Sequence, residues 1–156
     1  MPAEARKYRK CSLLLHAIRL LIENMLYYFV RKYPFSLFII LAVIFLSFFR
    51  FPAMGIDPVP GLDKVVHVCM YFGMSGMLWL EFLRAHRNDN QPLWHAWIGA
   101  LACPVLFGGM VELLQEYCTT HRGGDWLDFA ANTAGAVLAS LIACFILRPM
   151  MTKPGK

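Results

Sequence analysis

Charge is scarce in this 156-residue chain: 16% of its residues are charged and 58% are hydrophobic, with a mean hydropathy of +0.51. The apolar share exceeds the roughly 45–50% of soluble domains, and a water-soluble fold of this length has too little interior to hide it. Low-complexity tracts and internal repeats are lacking, which excludes a solenoid or modular chain and leaves one bundle as the simplest reading. No H-x-x-x-H, H-E-x-x-H or C-x-x-C spacing occurs, so spacing alone supports neither a metal centre nor a redox pair. The cysteines number five, and Cys69, Cys103 and Cys144 lie inside apolar stretches where a thiol packs as a small hydrophobe. The opening Met-Pro-Ala-Glu-Ala-Arg-Lys has no signal-peptide cleavage region, and nothing is expected to be removed.

What is present is a set of long apolar runs with basic residues at their ends. The net charge is +5, but the cations do not line one helical face, so the pattern points to a membrane and not to nucleic acid. Four runs approach the roughly 20 residues needed to cross a ~30 Å hydrocarbon core. The first, from about Pro34 to Phe49, contains no charge and exits at Arg50 and Pro52. The second runs from Lys64 to Leu83, with its polar residues near its ends. The third, Trp94 to Gln115, carries Gly99, Pro104, Gly108 and Gly109, which membrane helices tolerate when neighbours pack closely. The fourth, Trp126 to about Leu147, opens with Asp128 and Asn132, becomes alanine-rich, and is expected to stop at Arg148 and Pro149.

The predicted fold is all-α, a four-helix transmembrane bundle preceded by an N-terminal amphipathic helix. In that first helix His16, Arg19 and Glu23 share one face, so it is read as lying at the interface; a fifth span would bury the Arg19–Glu23 pair at a cost of several kcal/mol. Residues 1–33 form the basic amphipathic segment, 34–148 the membrane domain and 149–156 a tail. Lys and Arg gather in the N-terminal arm, at Arg84 and Arg87, and in the tail, while the two opposite loops hold only Arg50 and Arg122. Both termini are therefore expected to be cytoplasmic. Trp79, Trp94, Trp97 and Trp126 fall near span ends and are read as an aromatic belt.

This topology brings the start of the second span, the end of the third and the start of the fourth to the non-cytoplasmic membrane face. Asp63 and His67 share a helical face, as do Glu112, Gln115 and Glu116, and Asp125, Asp128 and Asn132 fall at i, i+3 and i+7. Arg122 lies in the connecting loop. Ionisable groups at membrane depth are costly unless they face a bundle interior and pair, which makes them a functional expectation. The plainer alternative places Asp63 or Asp128 at helix N-termini and Lys64 and Arg122 on lipid phosphates. Glu112 fits that alternative less well, because the macrodipole opposes a carboxylate near a helix C-terminus.

The series Asp63-Lys64-x-x-His67, Glu112-x-x-Gln115, then Arg122 followed by Trp126-x-Asp128-x-x-x-Asn132-x-x-Gly135, resembles the VanZ-like membrane family. The likeness covers about Phe35 to Leu147. It implies that Asp63, Lys64, His67, Glu112, Gln115, Arg122, Asp128, Asn132 and Gly135 form the polar signature. It further implies a multi-pass protein of the bacterial cytoplasmic (inner) membrane and a link to glycopeptide antibiotic resistance, since the namesake is associated with resistance to teicoplanin. The stretch His-Arg-Gly-Gly-Asp-Trp departs from the pattern by placing two glycines where a bulkier residue is expected.

Three functions compete. The favoured one is binding of an anionic envelope lipid or lipid-linked cell-wall precursor through Asp63, Lys64, His67, Glu112, Gln115, Arg122, Asp128 and Asn132, whose cations suit phosphate or carboxylate. The second is an intramembrane hydrolase or transferase with Glu112 or Asp63 as base and His67 as proton shuttle. It lacks a nucleophile: Ser75 lies about two turns below His67, and Cys118 and Thr119 are isolated. A metal variant would draw on His67, Asp63, Glu112 and His121, but no metal and no cofactor is expected. The third is a purely structural cluster. Membrane lipids are the expected partners, nucleic acid is not, and a homo-oligomer is left open, being what transport would require of so small a bundle.

Overall fold

The computed structural model describes residues 3–49, 61–87, 91–118 and 124–151. It is all-helical among these residues, as expected, with α1 at Ala3–Lys32, α2 at Pro34–Phe48, α3 at Leu62–Ala85, α4 at Trp94–Cys118 and α5 at Trp126–Met151. The chain divides into two compact units, Met1–Pro34 and Phe35–Lys156.

The first unit is α1. Its segment Leu20–Val30 leaves its large apolar side chains exposed, and Arg19 Nε bonds Glu23 Oε1 at 2.8 Å one turn on. Tyr33 breaks the helix because the residue before a proline avoids the α region.

In the second unit, α3, α4 and α5 are each long and apolar enough to cross a membrane. α2 differs from expectation: its 15 residues rise only about 22 Å, short of a ~30 Å core. Pro34 starts it, a position where a missing N–H costs nothing.

α3 and α5 run side by side in the same direction, Lys64 meeting Asp128 and Trp79 meeting Ser140, and α4 packs antiparallel to α3, Gly108 lying by Tyr71 and Ala100 by Ser75. Small residues on α5 make this contact close. A Cβ on Gly135 would stand 2.3 Å from the Val68 carbonyl oxygen and 3.0 Å from the Phe72 amide nitrogen, so only glycine lets the two backbones meet. Ala131, Ala136, Ala139 and Ala143 are buried on the same helix. Deeper in, the Ser75 hydroxyl bonds the Ala100 carbonyl and Trp79 Nε1 donates to Ser140 Oγ at 2.9 Å, tying the three helices together. Trp79 is thus fully buried and packs edge-on against Trp97, which removes it from the predicted aromatic belt; Trp94 and Trp126 are exposed.

α2 is held at both ends. The buried Glu81 carboxylate on α3 accepts the Phe35 and Ser36 amides, each at 3.0 Å, where the unsatisfied N–H groups and positive dipole end of α2 favour an anion. At the other end Gln115 Nε2 donates to the Ser47 carbonyl at 2.9 Å. Between them Val43 packs with Tyr71 and Met74.

The expected stop of the last span at Arg148–Pro149 is corrected: α5 continues to Met151. Ala143–Leu147 winds as a π turn in which the Arg148 amide reaches back five residues to Ala143. The same device precedes Pro104, where Ile98–Ala102 is π-wound and the Cys103 amide bonds Ile98. In both places the wider turn displaces the carbonyls that a proline ring would strike, so the helix passes through.

Candidate functional site

The N-terminus of α5 is fixed by Asp125. Its extended backbone and side chain form the N-cap, with Oδ1 accepting the Leu127 amide at 2.9 Å. Asp128 follows in the first turn and Asn132 one turn deeper. α3 starts beside it after Gly61, which takes the left-handed conformation at φ 81° that favours glycine.

Lys64 crosses from α3 to this helix start. Its ammonium donates to Asp63 Oδ2 at 3.0 Å, to Asp125 Oδ2 at 2.6 Å and to Asp128 Oδ1. Lys64 and the Leu127 amide together hold the Asp125 carboxyl below the usual carboxylate range. All three donor positions of the lysine therefore have acidic partners, and it is not a cation displayed alone for an incoming anion.

A second chain of contacts lies deeper. Asn132 Nδ2 donates to Glu112 Oε1 at 3.3 Å, linking α5 to α4, and its Oδ1 lies 2.9 Å from His67 Nδ1 on α3. With its NH2 turned to Glu112, the amide presents its oxygen to His67, and Nδ1 of the ring is the donor in that pair. Nε2 consequently faces Asp128 Oδ2, 3.5 Å away. His67 is 6%, Glu112 7% and Asn132 0% exposed. Glu112 Oε2 also accepts the Asp125 amide at 3.2 Å, and Glu116 Oε2 the Gly124 amide at 2.7 Å, which clamps the end of α4 to the start of α5. A Cβ on Gly124 would lie 2.7 Å from the Glu112 carbonyl oxygen, so one of the two unexpected glycines answers a close approach.

The side chains of Asp63, Lys64, His67, Glu112, Asp128 and Asn132 thus come to one end of the bundle. Gln115, three residues beyond Glu112, donates to the Ser47 carbonyl at the end of α2. Arg122 and His121 lie outside the described residues. Ser75 is occupied with backbone and Ser140, in a structural place. One turn deeper than His67, the Tyr71 hydroxyl is buried without a hydrogen-bond partner among the described residues, with its ring against Gly108, one turn above Glu112 on α4.

Ligand atoms of His67, Glu112 and Asp128 all lie within 4.8 Å of one another. The metal-ligating set considered from sequence had Asp63 and His121 in place of Asp128; Asp63 instead bonds Lys64 at the rim. Each helix supplies one member, so no linear spacing motif announces the triad.

Sequence reasoning also missed Glu81, the Ser75–Trp79–Ser140 set and the contact made by Gly135. A carboxylate at position 81 within an apolar run was the available signal, but its partner is a helix start 45 residues away.

No family model matches the chain, and no solved structure matches it. It is 29% identical over 123 residues to an uncharacterized protein of Schizosaccharomyces pombe (strain 972), an alignment covering 79% of this chain and 70% of that protein.

Proposed function

We propose that this chain is a four-span, VanZ-like integral membrane protein whose polar pocket, at the non-cytoplasmic membrane face, receives the head group of an anionic lipid. The observation that carries the reading is the buried His67–Asn132–Glu112 chain, which joins three helices at one end of the bundle. Structural locking alone is a poor reason to bury a carboxylate, since an apolar replacement is often at least as stable. Arg122, which lies between α4 and α5 in the sequence, is proposed as the anion contact, because Lys64 already serves three carboxylates. α2 is assigned as the fourth span: it is pinned by Glu81 at one end and Gln115 at the other, and local bilayer thinning accommodates its 15-residue length.

The VanZ-like assignment rests on the polar motifs alone. A relative in fission yeast gives no support to a bacterial membrane, a cell-wall precursor or antibiotic resistance. The hydrolase or transferase alternative gains no nucleophile among the described residues.

Two experiments test the proposal. Reporter fusions at both termini should report the same side of the membrane; opposite sides would remove α2 as a span. Incorporation into phosphatidylcholine nanodiscs with added phosphatidic acid should enrich the acidic lipid around wild type and not around Arg122→Ala; equal enrichment would count against the pocket.

A further inference from the structure

We propose that His67 Nε2, Asp128 Oδ2 and one Glu112 oxygen bind a divalent cation of the Zn2+ class at the non-cytoplasmic end of the bundle. The site rests on position and chemistry together. His67, Asp128 and Glu112, on α3, α5 and α4, each offer one ligand atom within 4.8 Å of the others. The 3.5 Å between Nε2 and Oδ2 is close to the separation of two ligands bound at about 2.1 Å around a tetrahedral ion, about 3.4 Å. Nε2 makes no hydrogen bond among the described residues although its side chain is more than nine-tenths buried.

The surroundings match what a bound metal demands. Asn132 accepts the Nδ1 proton of His67 and so turns the Nε2 lone pair inward, as the outer partners of metal-bound histidines do. The same amide donates to Glu112 and orients that carboxylate. Lys64 takes Asp128 Oδ1 and leaves Oδ2 to the site. Glu112, buried at membrane depth, receives only an amide and a backbone N–H from the described residues, both at 3.2 Å or more. A divalent ion between two carboxylates cancels their charge, which lowers the cost of burying them. The imidazole ligand selects against Mg2+ and Ca2+, which prefer all-oxygen shells.

Three protein ligands leave a fourth position, open to water or to one oxygen of an anionic head group. Resting on the head-group reading above, this assignment explains how a mainly acidic pocket can attract an anion: the ion supplies the positive charge. The class of ligand is then a phosphate or carboxylate group.

The test is equilibrium dialysis of the full-length protein in detergent against Zn2+, Mn2+ or Mg2+, followed by elemental analysis, with Co2+ absorption spectra of the wild type as a second readout. Stoichiometric Zn2+ is expected in wild type and in Gly99→Ala, with loss of the ion in His67→Gln and Glu112→Gln. Asn132→Ala should weaken binding about 10–100-fold, the usual effect of removing an outer partner. Intense visible bands of four-coordinate Co2+ in wild type would support the site even if a variant fails to fold. Folded wild type with no Zn2+ above the detergent blank, or Zn2+ unchanged in both ligand variants, would overturn it. Selective lipid retention that persists without any bound metal overturns the metal site and keeps the head-group reading; stoichiometric Zn2+ with no lipid selectivity does the reverse.

Discussion

Nδ1 of His67 lies 2.9 Å from Oδ1 of Asn132, and through the same amide α3 is joined to Glu112 on α4. One side chain on α5 therefore satisfies polar groups on both neighbouring helices. Asn132→Leu keeps the volume but leaves two buried groups without their partner, at about 1–3 kcal/mol each. The expected result is a lower thermal midpoint in detergent, measured by circular dichroism, with a smaller loss in the double variant Asn132→Leu/Glu112→Leu. A double-variant loss equal to the sum of the Asn132→Leu and Glu112→Leu losses would mean that the two residues do not interact.

Gly135 lies where α3 and α5 backbones touch. Gly135→Ala forces a methyl group to within 2.3 Å of the Val68 carbonyl oxygen, and overpacking of this kind costs about 1–3 kcal/mol or more. Gly99→Ala meets nothing within 4 Å and should leave stability unchanged or raise it. A pair of melting curves decides the matter, and equal stability of the two variants would refute the close approach.

Lys64 is shared by Asp63, Asp125 and Asp128, so Lys64→Met leaves three carboxylates facing one another. A double-mutant cycle with Asp128→Asn should give a favourable coupling between the two residues, and strict additivity would contradict their contact. Asp125 adds a pH dependence of known sign. Its carboxyl titrates below the ordinary value in the folded protein, so it binds protons more readily unfolded and its contribution is complete above the unfolded value of about 3.9. That contribution is lost as pH falls through the lower folded value. Asp125→Asn should flatten the acid limb of a stability–pH curve; an unchanged limb would contradict the assignment.

Glu81 accepts both Phe35 and Ser36 amides, which makes it the cap of a helix it does not belong to. Glu81→Ala removes charge-assisted bonds worth about 1.5–3 kcal/mol each from a buried helix start. Hydrogen exchange of the Phe35 and Ser36 amides should accelerate more than exchange within α5. Uniform acceleration would indicate general loosening in place of a lost cap.

Much of this arrangement was legible in the sequence because apolar run length and helical periodicity act locally. The runs that became α3, α4 and α5, and the spacing of Asp125, Asp128 and Asn132, follow from residues close in the chain. What was not legible depends on partners far away. Glu112 and Gln115 share a helical face, yet the first turns to Asn132 and the second to Ser47, because different helices flank that face. Trp79 sits near a span end, but Ser140 accepts its N–H and draws it inside. Pro149 reads as a stop, and only the π turn before it lets the helix continue. Glu81 reads as a costly charge until the start of α2 is placed against it.

The central claim is that side chains from three helices form one pocket for an anionic head group. Native mass spectrometry of the protein released gently from its own membranes tests it most directly, with wild type compared against Glu112→Gln and Arg122→Ala. The account predicts a discrete adduct of phospholipid mass on wild type that is lost in both variants. A wild type that carries no specific lipid, or variants that retain the same adduct, would contradict it.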